Sequence, residues 1–195
     1  LRTSGTVTVT VTAYPDGPGT GITRVWWTGI GGSTVAALTG NAAYPSNPTG
    51  AEVVTRFEGP TDWMEDYGTR MHGYFLAPLT GAYTFYIASD DGSELWLSTD
   101  DQAANKVKIA HLDNWTASRD WTAYASQQSA PVDLVAGNRY YICALHKEGD
   151  GGDNLAVGVE LPGGVLERPI PGHRLDPVSG VCYGAPRSNP STEET

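Results

Sequence analysis

Asp90 and Asp91 are adjacent carboxylates that end the run Gly81-Ala82-Tyr83-Thr84-Phe85-Tyr86-Ile87-Ala88-Ser89 and precede Gly92. Successive side chains of a regular strand point to opposite faces, so neighbouring aspartates converge only where the backbone leaves the strand conformation. A strained peptide at a functional sheet edge achieves this. Two hard oxygen donors brought together suit Ca2+, which accepts carboxylate, amide and backbone carbonyl ligands in loose geometry and offsets their repulsion. The competing reading is a hairpin turn, because Asp and Gly tolerate positive φ.

A second oxygen-rich stretch is Lys147-Glu148-Gly149-Asp150-Gly151-Gly152-Asp153-Asn154. Its glycines allow close backbone approach to a ligand and leave carbonyls free to coordinate. It is not an EF-hand, since the Asp-x-Asp-x-Asp-Gly register, the closing glutamate and flanking helices are missing. Taken alone it also reads as a hairpin tip whose charges face water. Two such loops at strand ends favour the metal reading over either turn.

The elements that must carry these loops read as β throughout. Glycine at 24 and proline at 13 are high for 195 residues, and valine, threonine, tyrosine and tryptophan recur in short runs, as expected of many strands joined by turns. Strands are predicted at 6–12, 21–28, 53–58, 67–76, 83–87, 94–98, 107–112, 139–145 and 155–161, with turn clusters at 15–19 and at Pro78-Leu79-Thr80-Gly81. The latter reads as a hairpin. Residues 31–51 read as a long surface loop, 115–124 as an irregular polar stretch and 186–195 as a disordered tail. No helix of three turns and no repeat of fixed period emerges. The length fits one domain, placed at 1–185.

A net charge of -10 and a pI near 4.6 argue against nucleic acid and anionic membrane surfaces, which need a basic footprint. No apolar run reaches the length of a membrane span. The N-terminus lacks a signal-peptide pattern, so the chain reads as a fragment or a mature form. Cys143 and Cys182 either pair or remain one buried and one exposed thiol. His72, His111, His146 and His173 show no zinc-ligand spacing, and no nucleophile elbow, phosphate loop or dinucleotide fingerprint occurs. Asn114-Trp115-Thr116 fits an N-glycosylation acceptor, which matters in a eukaryotic source.

The run Tyr67-Gly68-Thr69-Arg70-Met71-His72-Gly73-Tyr74-Phe75, then 81–97 with its Asp90-Asp91-Gly92, then Gly137-Asn138-Arg139-Tyr140-Tyr141 and His146-Lys147-Glu148-Gly149, resembles the PA14 domain family over about 24–177. That resemblance implies an all-β fold, an antiparallel β-sandwich with long loops and little helix. It also implies a Ca2+ site in which an Asp-Asp pair joined by a cis peptide holds the ion, and the ion binds sugar hydroxyls. Asp90 and Asp91 match that pair. Setting Val159-Glu160-Leu161-Pro162-Gly163-Gly164 against the turn after the family's calcium loop puts Glu148 where flocculins carry an Asn ligand. Asp150 and Gly152 then fall where backbone carbonyls coordinate.

Glu in place of Asn keeps an oxygen donor and adds a negative charge. Asp90, Asp91, Gly151 and Asp153 are the expected sugar-contacting residues, with Asp153 and Asn154 alternative metal ligands if the loop register slips. Trp115 and Trp121, in loop-like sequence, are rim candidates for stacking on a sugar face, whereas Trp96 reads as core. The resemblance therefore implies a non-enzymatic, calcium-dependent lectin or adhesin module. It would bind mono- or oligosaccharides of cell-surface glycans, as a monomeric unit of a larger extracellular or cell-surface protein without membrane insertion. The alternative is a structural or protein-interaction spacer in an extracellular protein or a glycoside hydrolase. Asp90 and Asp91 also raise a glycosidase reading, but hydrolysis needs carboxylates across a cleft rather than side by side.

Overall fold

A computed structural model describes residues 21–178. The strands are β1 (Ile22–Thr28), β2 (Gly50–Val54), β3 (Tyr67–Leu76), β4 (Gly81–Asp90), β5 (Ser93–Ser98), β6 (Lys106–Leu112), β7 (Val132–Leu134), β8 (Arg139–Glu148), β9 (Asn154–Leu161), β10 (Val165–Glu167) and β11 (Leu175–Pro177). A seven-stranded sheet runs β2-β1-β3-β8-β5-β6, with β11 also on β3, and a four-stranded sheet runs β10-β9-β4-β7. All strand pairs are antiparallel. The sheets form a β-sandwich.

Registry explains why these runs become the inner faces. Met71 lies opposite Ala144 and Phe75 opposite Tyr140 in the larger sheet, while Phe85 lies opposite Val159 and Ile87 opposite Val157 in the smaller. These side chains form one buried cluster, in which the Phe75 ring meets Tyr83 and Phe85 edge-on at 5.7 and 5.3 Å. Burial of this apolar surface is the main favourable contribution to the fold.

Three expectations change. The Pro78-Leu79-Thr80-Gly81 turn is not a hairpin: β3 belongs to the seven-stranded sheet and β4 to the four-stranded one, so the chain crosses between layers. Local alternation reports which face is buried, and it is the same whether two strands lie side by side or face to face. Residues 31–51 are not all loop. Thr34 caps a short helix, α1 (Val35–Thr39), and Leu38 of that helix packs fully buried over the backbone of Gly68, where a Cβ would stand 2.4 Å from Leu38 Cδ1. β2 then begins at Gly50. Lys147 and Glu148, finally, are the last residues of β8 rather than loop.

Trp96, read as core, is half-buried, its Nε1 donating to Glu94 Oε2 at 3.1 Å. Cys143 is buried with no disulfide partner among the described residues, and burial pushes its pKa up to about 11. The expected strand at 6–12, turn at 15–19, Cys182 and tail at 186–195 lie outside the described residues. Among those described, no helix is long and apolar enough to cross a membrane.

Candidate metal centre

The topology makes the two oxygen-rich segments neighbours. β4 passes to β5 through Asp91-Gly92, and β8 passes to β9 through residues 149–153; each connection crosses from one sheet to the other. Because β5 pairs with β8 and β4 pairs with β9, both crossings fall at the same end of the sandwich. The Asp90–Asp91 peptide is cis. Asp-Asp-Gly is therefore an inter-sheet crossover and not a hairpin.

Carboxylate oxygens of Asp90, Asp91 and Glu148 lie within 4.8 Å of one another. Asp91 N–H donates to Glu148 Oε2 at 3.1 Å, and Gly149 N–H donates to Asp91 Oδ2 at 3.1 Å. Glu148 is fully buried, and its Oε1 has no hydrogen-bond partner among the described residues. Desolvation, then the charges of Asp91, Asp90 and Asp153, push the Glu148 carboxyl up to about 8. Desolvation and the charges of Asp91, Asp153 and Asp62 push Asp90 up to about 6. An all-oxygen donor set that holds a buried acceptor without a partner among the described residues fits Ca2+ better than a softer metal.

The remaining expected residues divide. Gly152 sits at the centre, since a Cβ there would stand 3.2 Å from Asp62 Oδ1 and 3.8 Å from Asp90 Oδ2. Asp150 is exposed at the loop tip and its carboxylate is outside the three-residue group. Gly151 is exposed, with its N–H on Glu65 Oε2 at 2.8 Å. Asp153 is buried, and its Oδ2 accepts from the backbone of Trp63 at 2.7 Å and Met64 at 3.0 Å. It thus anchors residues 62–64. Asn154 pairs with Asp90 in the ladder and sends Nδ2 to Thr116 O at 3.0 Å.

Trp115 is 60% exposed, and its neighbour Thr116 is tied to Ser89 O, the residue before the aspartate pair. Trp121 lies elsewhere, with Arg168 between it and the Tyr86 ring.

Three further contributors lie outside the residues that local sequence pattern marks. Asp62, Glu65 and Asp66 belong to an acidic segment whose backbone bonds link it to Asp153 and Gly149. The acidic spacing in Thr61-Asp62-Trp63-Met64-Glu65-Asp66 was the available signal. Lys147, buried with its Nζ on Glu148 O, places a cation beside the carboxylates, and burial lowers its pKa. His146 is fully buried with Nε2 2.7 Å from Asp90 O.

A family profile described as the PA14 domain matches residues 20–164, spanning both crossovers and every strand from β1 to β9. The chain belongs to the PA14 domain family. This PA14 domain is 37% identical over 139 residues to the mouse N-acetyl-beta-glucosaminyl-glycoprotein 4-beta-N-acetylgalactosaminyltransferase 1. The match takes in 68% of this chain and 13% of that protein, so the chain spans a small part of the relative's length. Among solved structures, the PA14 sugar-binding domain from an RTX adhesin superposes with a TM-score of 0.59 at 13% identity, covering 80% of this chain and 97% of that one. The Epithelial Adhesin 6 A domain of Candida glabrata, in complex with Galb1-3GlcNAc, does so with a TM-score of 0.56 at 14% identity, covering 82% and 87%. At these identities the likeness is one of fold.

Proposed function

We propose that this PA14 domain is a calcium-dependent carbohydrate-binding module that recognises vicinal sugar hydroxyls. The observation that carries the reading is the convergence of Asp90, Asp91 and Glu148 within 4.8 Å, on two crossovers at one end of the sandwich. Calcium bound there supplies a hard centre able to coordinate a pair of adjacent pyranose hydroxyls. Asp90 and Asp91, both partly exposed, then accept charge-assisted hydrogen bonds from the same hydroxyls. Gly152 keeps the approach open, and backbone carbonyls of Asp150 and Gly152 complete the donor set. Exposed Gly151 and the Trp115 indole line the rim, and Asp153 contributes by holding the 62–64 segment in place. A shallow site of this kind binds single sugars weakly, on the order of millimolar.

The sugar-binding RTX adhesin domain and the disaccharide complex of the Candida domain support the carbohydrate class. The same likeness supports an extracellular or cell-surface setting, and the domain is read as a monomeric, non-catalytic unit of a larger protein. Glycoside hydrolysis is disfavoured because Asp90, Asp91 and Glu148 all face one centre. Acid and base flank a scissile bond at separations of roughly 5–9.5 Å.

A glycan array probed with calcium, with EDTA and with the D90A/D91A variant tests the reading. Binding to defined sugars that disappears in both controls is the expected result. A blank array in calcium, with the metal still raising the melting temperature, gives the site to a structural ion and the domain to a spacer role.

A further inference from the structure

The peptide unit between Asp90 and Asp91 is gripped at both ends by one strand. Its carbonyl, Asp90 O, lies 2.7 Å from His146 Nε2, and its N–H, on Asp91, donates to Glu148 Oε2 at 3.1 Å. His146 and Glu148 are two apart on β8, so both side chains leave the same face of the larger sheet. Asp90 belongs to β4 of the smaller sheet, and β4 and β8 are not ladder partners. These side-chain bonds hold the Asp90–Asp91 peptide itself to the larger sheet, next to the backbone bond from Lys147 N–H to Gly92 O at 3.0 Å.

The two grips differ in what they are free to do. Glu148 is itself one of the three clustered carboxylates, whereas His146 lies outside that group. A carbonyl oxygen only accepts, so the His146–Asp90 bond requires the proton on Nε2. The ring is fully buried, its backbone is paired with Thr69 on one side and Ser93 on the other, and the Tyr67 ring meets it edge-on at 5.7 Å. Its position is set by the larger sheet before any ligand arrives.

Resting on the reading of the carboxylates as a calcium site, we infer that His146 is a positioning residue. By donating from Nε2 to Asp90 O it orients the peptide from which both aspartate side chains project. Outer partners that orient metal ligands are worth about 10- to 100-fold in metal affinity when removed. Loss of this donor leaves Glu148 as the only side chain holding the aspartate peptide to β8, and the carboxylates then have to be ordered by the ion.

Calorimetric titration of calcium into the wild-type chain, H146F and H146Q, with melting in EDTA to verify folding, tests this. H146F keeps a planar ring and loses the donor; H146Q keeps an N–H at a reach similar to Nε2. The expected result is calcium affinity lowered about 10- to 100-fold in folded H146F and restored to within about threefold of wild type in H146Q. A folded H146F with wild-type affinity, or a folded H146Q as weak as H146F, overturns the positioning role while the wild-type titration still supports the calcium site. Should H146F fail to melt cooperatively, H146L takes its place as the donor-free variant: folded and about 10- to 100-fold weaker upholds the role, and folded with wild-type affinity overturns it. A wild-type chain that takes up no calcium removes the site reading itself, and the inference with it.

Discussion

Glu148 has burial and neighbouring carboxylates acting in one direction, since desolvation and the charges of Asp91, Asp90 and Asp153 all favour its protonated form. A carboxyl whose folded pKa is raised stabilises the fold below its unfolded value, and that contribution is lost as pH rises through the folded value. For Glu148 the window extends upward to about 8. His72 and His146, pushed down to about 4, act in the opposite direction on acidification, but between pH 7 and 9 both are largely neutral folded or unfolded. In EDTA, the melting temperature of wild type relative to E148Q is therefore expected to fall between pH 7 and 9. An unchanged difference across that range would show that the buried carboxyl is not titrating there. Calcium affinity should show the reverse slope, rising with pH as protons leave Asp90 and Glu148.

The crossovers that bring these residues together depend on close backbone packing. A Cβ on Gly92 would stand 2.8 Å from Ser33 O, in the loop leading into α1. Backbone cannot withdraw as a flexible side chain can, so G92A is expected to lose calcium binding together with about 1–3 kcal/mol of stability, read by urea unfolding. A G92A chain with wild-type affinity and midpoint would mean that this contact yields freely. The short helix is anchored by Val35 and Leu38, and L38A, which removes the group covering Gly68, is expected to cost about 2–5 kcal/mol in the same measurement. Asn114 is exposed while Thr116 is buried against Ser89 O, so secretion through a eukaryotic host should give an endoglycosidase-sensitive glycan that N114Q abolishes. Its attachment would precede folding of this segment.

Over the whole molecule, a net charge of -10 acts on whatever approaches the site. Neutral glycans are expected to bind better than sialylated or sulfated ones of the same core, with the gap narrowing as salt screens the field. Equal array signals for both at low salt would show that the local ion outweighs the global charge. How much was legible beforehand follows from range. Strand periodicity, the Asp90-Asp91 pair and the glycine-rich loop are local patterns, and β3 was predicted with the bounds it has in the fold.

Pairing was not legible, because an alternating strand carries the same pattern beside its neighbour or across the core from it. That ambiguity turned the crossover between β3 and β4 into an expected hairpin. The 62–66 acidic segment and His146 were likewise missed as parts of the site, since each reaches it only through contacts with residues far along the chain. The sequence alone determined the composition of the donor set and its placement at strand ends. The tertiary structure decided that the two loops share one end of the sandwich, that Glu148 is buried, and that β8 holds the aspartate peptide at both ends. Those are properties of which strands pair, and pairing is settled by the packing of two faces into one core.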